Sequence, residues 1–276
     1  MVRAEFGFIK PEFCNLGEKP YKILGESVVT QARLSEPVRI LKEEDSWYYI
    51  EMSDEYKGWI HSKDVDAVDE RKWHKWLESP HVLVTESFSP ILSVTDYRAI
   101  NGAVMATMLR LVGENAGYYI VALPGGQAGL LSRNAGFVIS SFGEIPKGSY
   151  ENIIETGKRF IGLPYFWGGT TPYGFDCSGF VQTLFLMNGY KLPRDADQQF
   201  EVGEVIEKRE DLEKGDAVFF STYAPGPSHI GIYIGNGEYI HSSGKTGVAI
   251  NSFNPEAENY REDLDKKYIE ARRYRL

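Results

Sequence analysis

Apolar and polar residues alternate through the first half of the chain in short runs closed by Gly, Asp, Asn or Pro. Alternation of this kind, rich in aromatic and β-branched residues, predicts short half-buried strands. Val38-Arg39-Ile40-Leu41 leads to Trp47-Tyr48-Tyr49-Ile50 and then to Gly58-Trp59-Ile60. The order returns downstream as Leu109-Arg110-Leu111-Val112, Tyr118-Tyr119-Ile120 and Gly129-Leu130-Leu131, at an almost constant offset. A repeat at fixed period is the mark of a duplicated module. Strand runs of this length suit a small antiparallel barrel, so the pattern predicts two such barrels, over 1–77 and 78–145. The second copy is degenerate: Gly117 and Leu130 stand where the first has Trp47 and Trp59.

The polar stretch 63–78, with Trp73 and Trp76 three apart, predicts a short helix that packs its tryptophan edge. Gly and Pro make 143–149 a linker. The period then changes. Ile153, Ile154 and Phe160 share one face of a predicted helix over 150–160, and Phe180 with Leu184 and Val181 with Phe185 mark a second. Asn188-Gly189 ends it. Strands are predicted at 216–220, 229–234, 238–242, 248–251 and 268–273. Helices first and sheet later give an α+β domain over 146–276.

Composition narrows the function. The 276 residues carry a net charge of −9 without a basic run, which argues against nucleic acid and against adhesion to anionic polymers or membranes. No stretch approaches the length of a membrane span, and residues 1–10 hold no apolar core of leader length. As written the protein is expected to be cytoplasmic; with a leader already removed it would be periplasmic or extracellular. Only Cys14 and Cys177 are present, too few for a disulfide framework once one has chemistry to do. No nucleotide-binding loop occurs, Pro124-Gly125-Gly126 reads as a turn, and no Cys/His cluster has zinc spacing. No cofactor is implied, and nothing indicates an oligomeric state.

The candidate chemistry centres on Gly174-Phe175-Asp176-Cys177-Ser178-Gly179-Phe180. Cys177 falls at a helix start, where unpaired N–H groups and the macrodipole favour an anion, so its thiol is expected to ionise readily. Downstream, Ser228 to Ile234 and Glu238 to Ser242 form a hairpin around Gly235-Asn236-Gly237. A two-residue turn pairs Gly235 with Glu238 and places His229 and His241 on opposite faces. A three-residue loop pairs Ile234 with Glu238 and Gly231 with His241. The histidines are then diagonal on one face, roughly 5–8 Å apart between side-chain origins. One imidazole could take the thiol proton while the other holds the first ring.

The ordered motifs LPYFWGG, GFDCSGFVQ, LPRDADQQ, GDAVFF and SHIGIYIGNGEYIHSS resemble the NlpC-type cell-wall cysteine peptidases, a papain-like family. The resemblance spans the chain from about Tyr150 onward. It implies a papain-like domain with a triad of Cys177, His229 and His241, and Tyr165 beside the oxyanion site. The first N-terminal copy resembles the bacterial SH3-type domain. Relatives joined to such domains resemble γ-D-glutamyl-L-diamino acid endopeptidases, which cut murein stem peptides with a free N-terminal L-Ala. That implies Asp176 as the carboxylate for the substrate ammonium, a pairing that desolvation makes selective. It also implies Ser178 as a neighbouring contact and Tyr56, in Asp54-Glu55-Tyr56-Lys57-Gly58-Trp59, closing the pocket over L-Ala. Glu26 is a second acidic candidate there, and Trp167 and Asp195 complete the substrate-binding set. Ala196 stands where some relatives carry Ser, so Asp195 is left to retain part of that recognition.

Two other readings stay open on the sequence. One is a non-catalytic protein that docks to peptidoglycan through its SH3-type modules. The other is an amidase or acyltransferase using the same Cys-His-His set. An intact triad favours an enzyme, because a binding protein has no need of all three residues.

Overall fold

The computed structural model describes residues 5–276. The chain divides into two compact units, the first ending at Ile145 and the second running Pro146–Leu276.

The first unit holds two sheets. One is built from β1 (Phe6–Ile9), β2 (Phe13–Gly17), β3 (Val28–Arg33), β4 (Pro37–Glu44), β5 (Trp47–Glu51), β6 (Lys57–His61) and β7 (Val65–Val68). These strands lie in the order β3-β2-β6-β5-β4-β1-β7, and among the described residues no ladder joins β3 to β7. The other contains β8 (His81–Val84), β9 (Phe88–Ser93), β10 (Ala99–Val104), β11 (Met108–Glu114), β12 (Tyr118–Ala122), β13 (Ala128–Ser132) and β14 (Gly136–Ile139). Its order, β10-β9-β13-β12-β11-β8-β14, is that of the first sheet with every label raised by seven.

The duplication seen in the sequence is therefore a duplication of topology. From β3 onward each strand start recurs at one fixed spacing, as Val28 does at Ala99 and Lys57 at Ala128. The starts of β1 and β2, Phe6 and Phe13, recur at a longer spacing, at His81 and Phe88. The difference falls in one connection, which covers 18–27 between β2 and β3 but only 94–98 between β9 and β10. In the first copy this connection carries a 3-10 turn, Gly25–Ser27.

Alternation along the strands buries one face of each sheet. Ile9, Leu16, Val38, Ile50 and Ile60 form the first core; Val82, Val84, Ile91, Leu109 and Val121 form the second, which also takes in Leu34 from the first copy. Between the copies lies α1 (Glu70–Leu77), capped by Asp69, whose carboxylate accepts from the Lys72 N–H at 2.8 Å. Its tryptophans pack as their spacing predicts. The Trp73 ring lies 4.8 Å from Phe6, and Trp76 lies 5.6 Å from Phe8 and 4.0 Å from His81.

The second unit opens with α2 (Tyr150–Lys158), slightly shorter than its pattern suggests. Phe160 instead turns its ring onto Phe175, 5.1 Å away. A small hairpin of β15 (Thr170–Thr171) and β16 (Gly174–Phe175) leads into α3 (Cys177–Met187), followed by α4 (Ala196–Phe200). The sheet comprises β17 (Glu204–Ile206), β18 (Ala217–Phe220), β19 (His229–Gly235), β20 (Glu238–Ser243), β21 (Gly247–Ser252) and β22 (Tyr268–Arg273), with α5 (Glu262–Asp265) before the last strand. The strands lie antiparallel in the order β17-β22-β18-β19-β20-β21. β17 is the strand the pattern did not signal, because so short a run cannot show alternation.

Phe180, Val181, Leu184 and Phe185 leave no surface in water, so α3 is a core helix packed between α2 and the β19–β20 face. Each such side chain contributes about 1.5–3 kcal/mol by burial. This places the Cys177 end of α3 against the start of β19, where His229 is found.

Candidate active site

Cys177 is the first residue of α3, and Asp176 is its cap, with Oδ1 accepting from the Gly179 N–H at 2.6 Å. Gly179 has to be glycine: a Cβ there would sit 2.2 Å from the carbonyl oxygen of Gly169. The helix start is thereby pressed onto the aromatic loop that carries Tyr165 and Trp167. Cys177 is only 4% exposed.

The sulfur receives the backbone N–H groups of Ile230 and Ser178, yet burial outweighs them. Burial, reinforced by the Asp176 charge, pushes the thiol up to about 12. A helix start that makes the thiol ionise readily is therefore not what the resting site shows. Its low-energy form is a neutral thiol, and its reactivity depends on a base beside it.

The hairpin supplies the candidates for that base. Gly235 pairs with Glu238 across Asn236 and Gly237, both left-handed at φ 55° and 76°, as in a two-residue turn. A bulge at Ile234 then shifts the ladder by one, so Tyr233 faces Tyr239 and Ile232 faces Ile240. The turn follows one of the two expected registers, and the strands beyond it follow the other. Gly231 thus comes opposite His241, and a Cβ on Gly231 would approach the His241 Cβ to 3.0 Å.

His229 is diagonal to His241, with Nε2 and Nδ1 2.7 Å apart. A third strand extends the staircase. Ala249 faces His241, and Asn251, two residues on, places Oδ1 2.8 Å from His241 Nε2.

The direction of this relay follows from its far end. Asn251 Nδ2 donates to the Asn259 carbonyl at 2.9 Å, which leaves Oδ1 as the acceptor facing His241. His241 Nε2 must then carry a hydrogen, its Nδ1 must accept, and His229 Nε2 must donate. His229 is left with a lone pair on Nδ1, the nitrogen able to take a proton. Burial lowers both rings, His241 to about 4 and His229 well below the ordinary histidine range, so both are neutral at neutral pH. We expect His229→Ala to lower kcat/KM more than His241→Ala, by about 10- to 100-fold, as when an orienting partner rather than the base is removed. Steady-state kinetics on folded variants, with the reverse order as the refuting result, checks this.

Beside the thiol lies an ion pair that the sequence did not announce. Arg194 grips the Asp176 carboxylate with both nitrogens, Nη2 to Oδ2 at 2.5 Å and Nη1 to Oδ1 at 3.1 Å. Its Nη1 also donates to Ser178 Oγ at 2.9 Å. The Arg194 side chain is 1% exposed, and the segment carrying it is held by Gln199 Nε2, which donates to the carbonyls of Pro193 (2.7 Å) and Ser178 (3.1 Å). Asp176 and Ser178 therefore stand together next to Cys177, but the carboxylate already has a cation.

Tyr165 bridges to Phe175 and is held in its protonated form by burial and by the neighbouring Cys177 and Asp176. Trp167, partly exposed, meets Tyr223 edge-on at 5.2 Å. Tyr223 senses Cys177, Asp176 and Asp195, so these groups share one neighbourhood; burial heads the causes that push its hydroxyl up to about 12. Asp195 heads α4, its N–H donating to Gln198 Oε1 at 3.2 Å. Glu26 and Tyr56 belong to the first unit. Glu26 is exposed in the 3-10 turn Gly25–Ser27, and Tyr56 is half-buried in the β5–β6 turn, its N–H donating to Asp54 Oδ1 at 3.1 Å.

Arg194, Asn251 and Tyr223 are the residues sequence reasoning missed. Asn251 had a signal, since the parity that aligned the histidines continues onto the next strand.

Comparison with known proteins bears on both units. A model of the NlpC/P60 family matches residues 162–271, and a model of the bacterial SH3 domain matches residues 24–66. A gamma-D-glutamyl-L-lysine dipeptidyl-peptidase of Bacillus cereus is 34% identical over 239 residues, covering 82% of this chain and 71% of that protein. Its namesake from Bacillus subtilis is 31% identical, covering 81% and 74% respectively. The crystal structure of an NlpC/P60 family protein from Bacillus cereus superposes with a TM-score of 0.85 at 28% identity, over 98% of this chain and 99% of that one.

Proposed function

Because this chain belongs to the NlpC/P60 family and is a cell-wall cysteine endopeptidase, we propose that it hydrolyses the bond between γ-D-Glu and the diamino acid of a murein stem peptide with a free N-terminal L-Ala. The role suited to such an enzyme is recycling or turnover of wall peptides. The observation that carries the catalytic half of this reading is the one-way relay from the Asn259 carbonyl to His229, which ends in a lone pair beside the Cys177 end of α3.

In this mechanism the Cys177 thiol gives its proton to His229 Nδ1 as the sulfur bonds to the γ-carbonyl carbon of D-Glu. Negative charge develops on the carbonyl oxygen, where the Cys177 N–H and the Tyr165 hydroxyl are the donors; a hydroxyl kept protonated by its surroundings is suited to this. As the C–N bond breaks, His229 returns the proton to the departing amine of the diamino acid. Water then attacks the thioester with His229 again accepting a proton, and the L-Ala-γ-D-Glu acyl group leaves Cys177 as a free acid. His241, held by Asn251, keeps the His229 ring in the required tautomer throughout.

The ammonium of L-Ala is assigned to Asp176 and Ser178, with Trp167 and Asp195 along the substrate path; Tyr56 and Glu26 keep the substrate-binding roles that the resemblance implies. Each seven-stranded sheet of that half is read as a small SH3-type barrel, over 1–77 and 78–145, ahead of an α+β, papain-like domain over 146–276. Among the described residues no helix is long and apolar enough to cross a membrane.

Arg194 changes the arithmetic of amine selection. With Asp176 already paired, an N-acetyl cap strands no charge. The loss comes from the ammonium's hydrogen bonds and the bulk of the cap. Hydrogen bonds to charged groups are worth about 1.5–3 kcal/mol, which sets a loss of roughly 10- to 100-fold in kcat/KM for the capped peptide. The test is digestion of L-Ala-γ-D-Glu-diaminopimelate and its Lys analogue, each with and without the cap, read by mass spectrometry. Release of L-Ala-γ-D-Glu from the uncapped peptides is the expected result, and equal cleavage of capped and uncapped peptides would refute amine selection. Tyr56→Ala is expected to raise KM while leaving alkylation of Cys177 unchanged.

A further inference from the structure

The two repeat copies of the first unit enclose a cleft of about 400 Å³ that the peptidase chemistry does not use. That volume is in the range of small-molecule sites. Phe8, Val68 and Leu123 form its apolar walls, and the cationic side chains of Lys72, Lys75 and Arg110 line it. Its single lining carboxylate, Asp66, accepts the Gly125 N–H at 2.6 Å and so holds the Pro124-Gly125-Gly126 turn in place. Three cations against one engaged carboxylate run counter to a chain whose net charge is −9. None of the three forms an ion pair among the described residues.

Two neutral donors give the cleft a built floor. Ser35 is 1% exposed and Trp76 9%; both line the cleft, and Ser35 Oγ and Trp76 Nε1 have no hydrogen-bond partner. Buried donors in a folded protein are nearly always satisfied, so two orphans on one cleft point to a missing acceptor. Ser35 is also held left-handed at φ 62°, a conformation that costs a non-glycine residue and clusters at functional sites.

We propose that this cleft binds an acceptor-rich anion, a ligand bearing phosphate or carboxylate groups. Lys72, Lys75 and Arg110 take its charge, and Ser35 Oγ and Trp76 Nε1, both shielded from solvent, donate to its innermost oxygens once the cleft wall adjusts around the ligand. Three cationic side chains against one carboxylate that already holds a backbone N–H favour an anion over a cation here. The apolar walls suit the ligand's carbon skeleton.

The test uses the full-length protein with pyrophosphate and citrate as probes, followed by calorimetry and by the Trp76 indole N–H resonance. Saturable binding of at least one probe, with a shift of that resonance, is expected. Pyrophosphate alone assigns the site to phosphate, citrate alone to carboxylate, and both to an anion of either kind; each supports the proposal. Lys75→Gln with Arg110→Gln is expected to weaken binding about tenfold or more, and Ser35→Ala about threefold. Neither change is expected to alter the melting temperature or turnover of the stem peptide. Failure of both probes to bind overturns the proposal, as does binding that the charge variants leave unchanged, which would be an adventitious ion only.

Discussion

Cys177→Ala is expected to remove turnover of the stem peptide by a factor of about 10⁴ or more, the scale seen when the nucleophile of a hydrolase is deleted. The fold should persist. Cys177 is small, and the packing of α3 rests on Phe180, Val181, Leu184 and Phe185 rather than on the thiol. The more informative measurement is alkylation by iodoacetamide. A buried thiol raised to about 12 reacts slowly unless its proton is taken as the S–C bond forms. Cys177 should therefore label faster than Cys14, whose thiol is also pushed up by burial but has no imidazole relay beside it. The labelling of Cys177 should in turn slow in His229→Ala. If Cys14 reacts first, or if Cys177 labels equally fast without His229, the relay is not what activates the sulfur.

The second large effect concerns Arg194. Arg194→Met keeps most of the volume but strands the Asp176 carboxylate in a buried site. Breaking a buried pair by removing one partner typically costs about 3–5 kcal/mol. Asp176→Asn on the same background is expected to recover most of that loss, because Asn still caps a helix and carries no charge to strand. Activity should fall in Arg194→Met, since the guanidinium is one of the groups that draw the Cys177 thiol back down and the stranded carboxylate opposes thiolate formation. Equilibrium unfolding of the single and double variants decides the matter. A loss below about 1 kcal/mol in Arg194→Met would put the pair in the class of weak surface contacts.

Much of this was legible in the chain itself. The seven-strand repeat showed because both copies keep their alternation even where Trp47 and Trp59 give way; the strand starts put Tyr118, one residue past the expected Gly117, in the place of Trp47, and Leu130 in that of Trp59. The two histidines could be placed on one face because strand parity is strict, although parity alone could not anticipate that a bulge at Ile234 would combine a two-residue turn with the shifted ladder. The resemblance of the motifs implied what spacing could not: one site for Cys177 and the histidines.

Arg194 was hidden for a physical reason. A charged residue next to Pro193 and Asp195 looks solvated, and only the tertiary fold shows that Asp176 makes its burial tolerable. Tyr223 was hidden by its loop, where no periodicity points a side chain. The acidity of the thiol was misjudged for the same kind of reason: the helix end is visible in sequence, while desolvation depends on what covers it.

The shared strand order of the two sheets also sets a problem for the nascent chain. Adjacent segments with the same topology can exchange equivalent strands during folding, and misassembly of this kind is a characteristic hazard of tandem repeats. The longer connection between β2 and β3 in the first copy and the loss of both tryptophans in the second work against it. A strand from one copy inserted into the other would bring side chains of the wrong size and a connection of the wrong length. Divergence between the halves, which looks like decay when the sequence is read alone, acts here as a safeguard on which strand finds which partner.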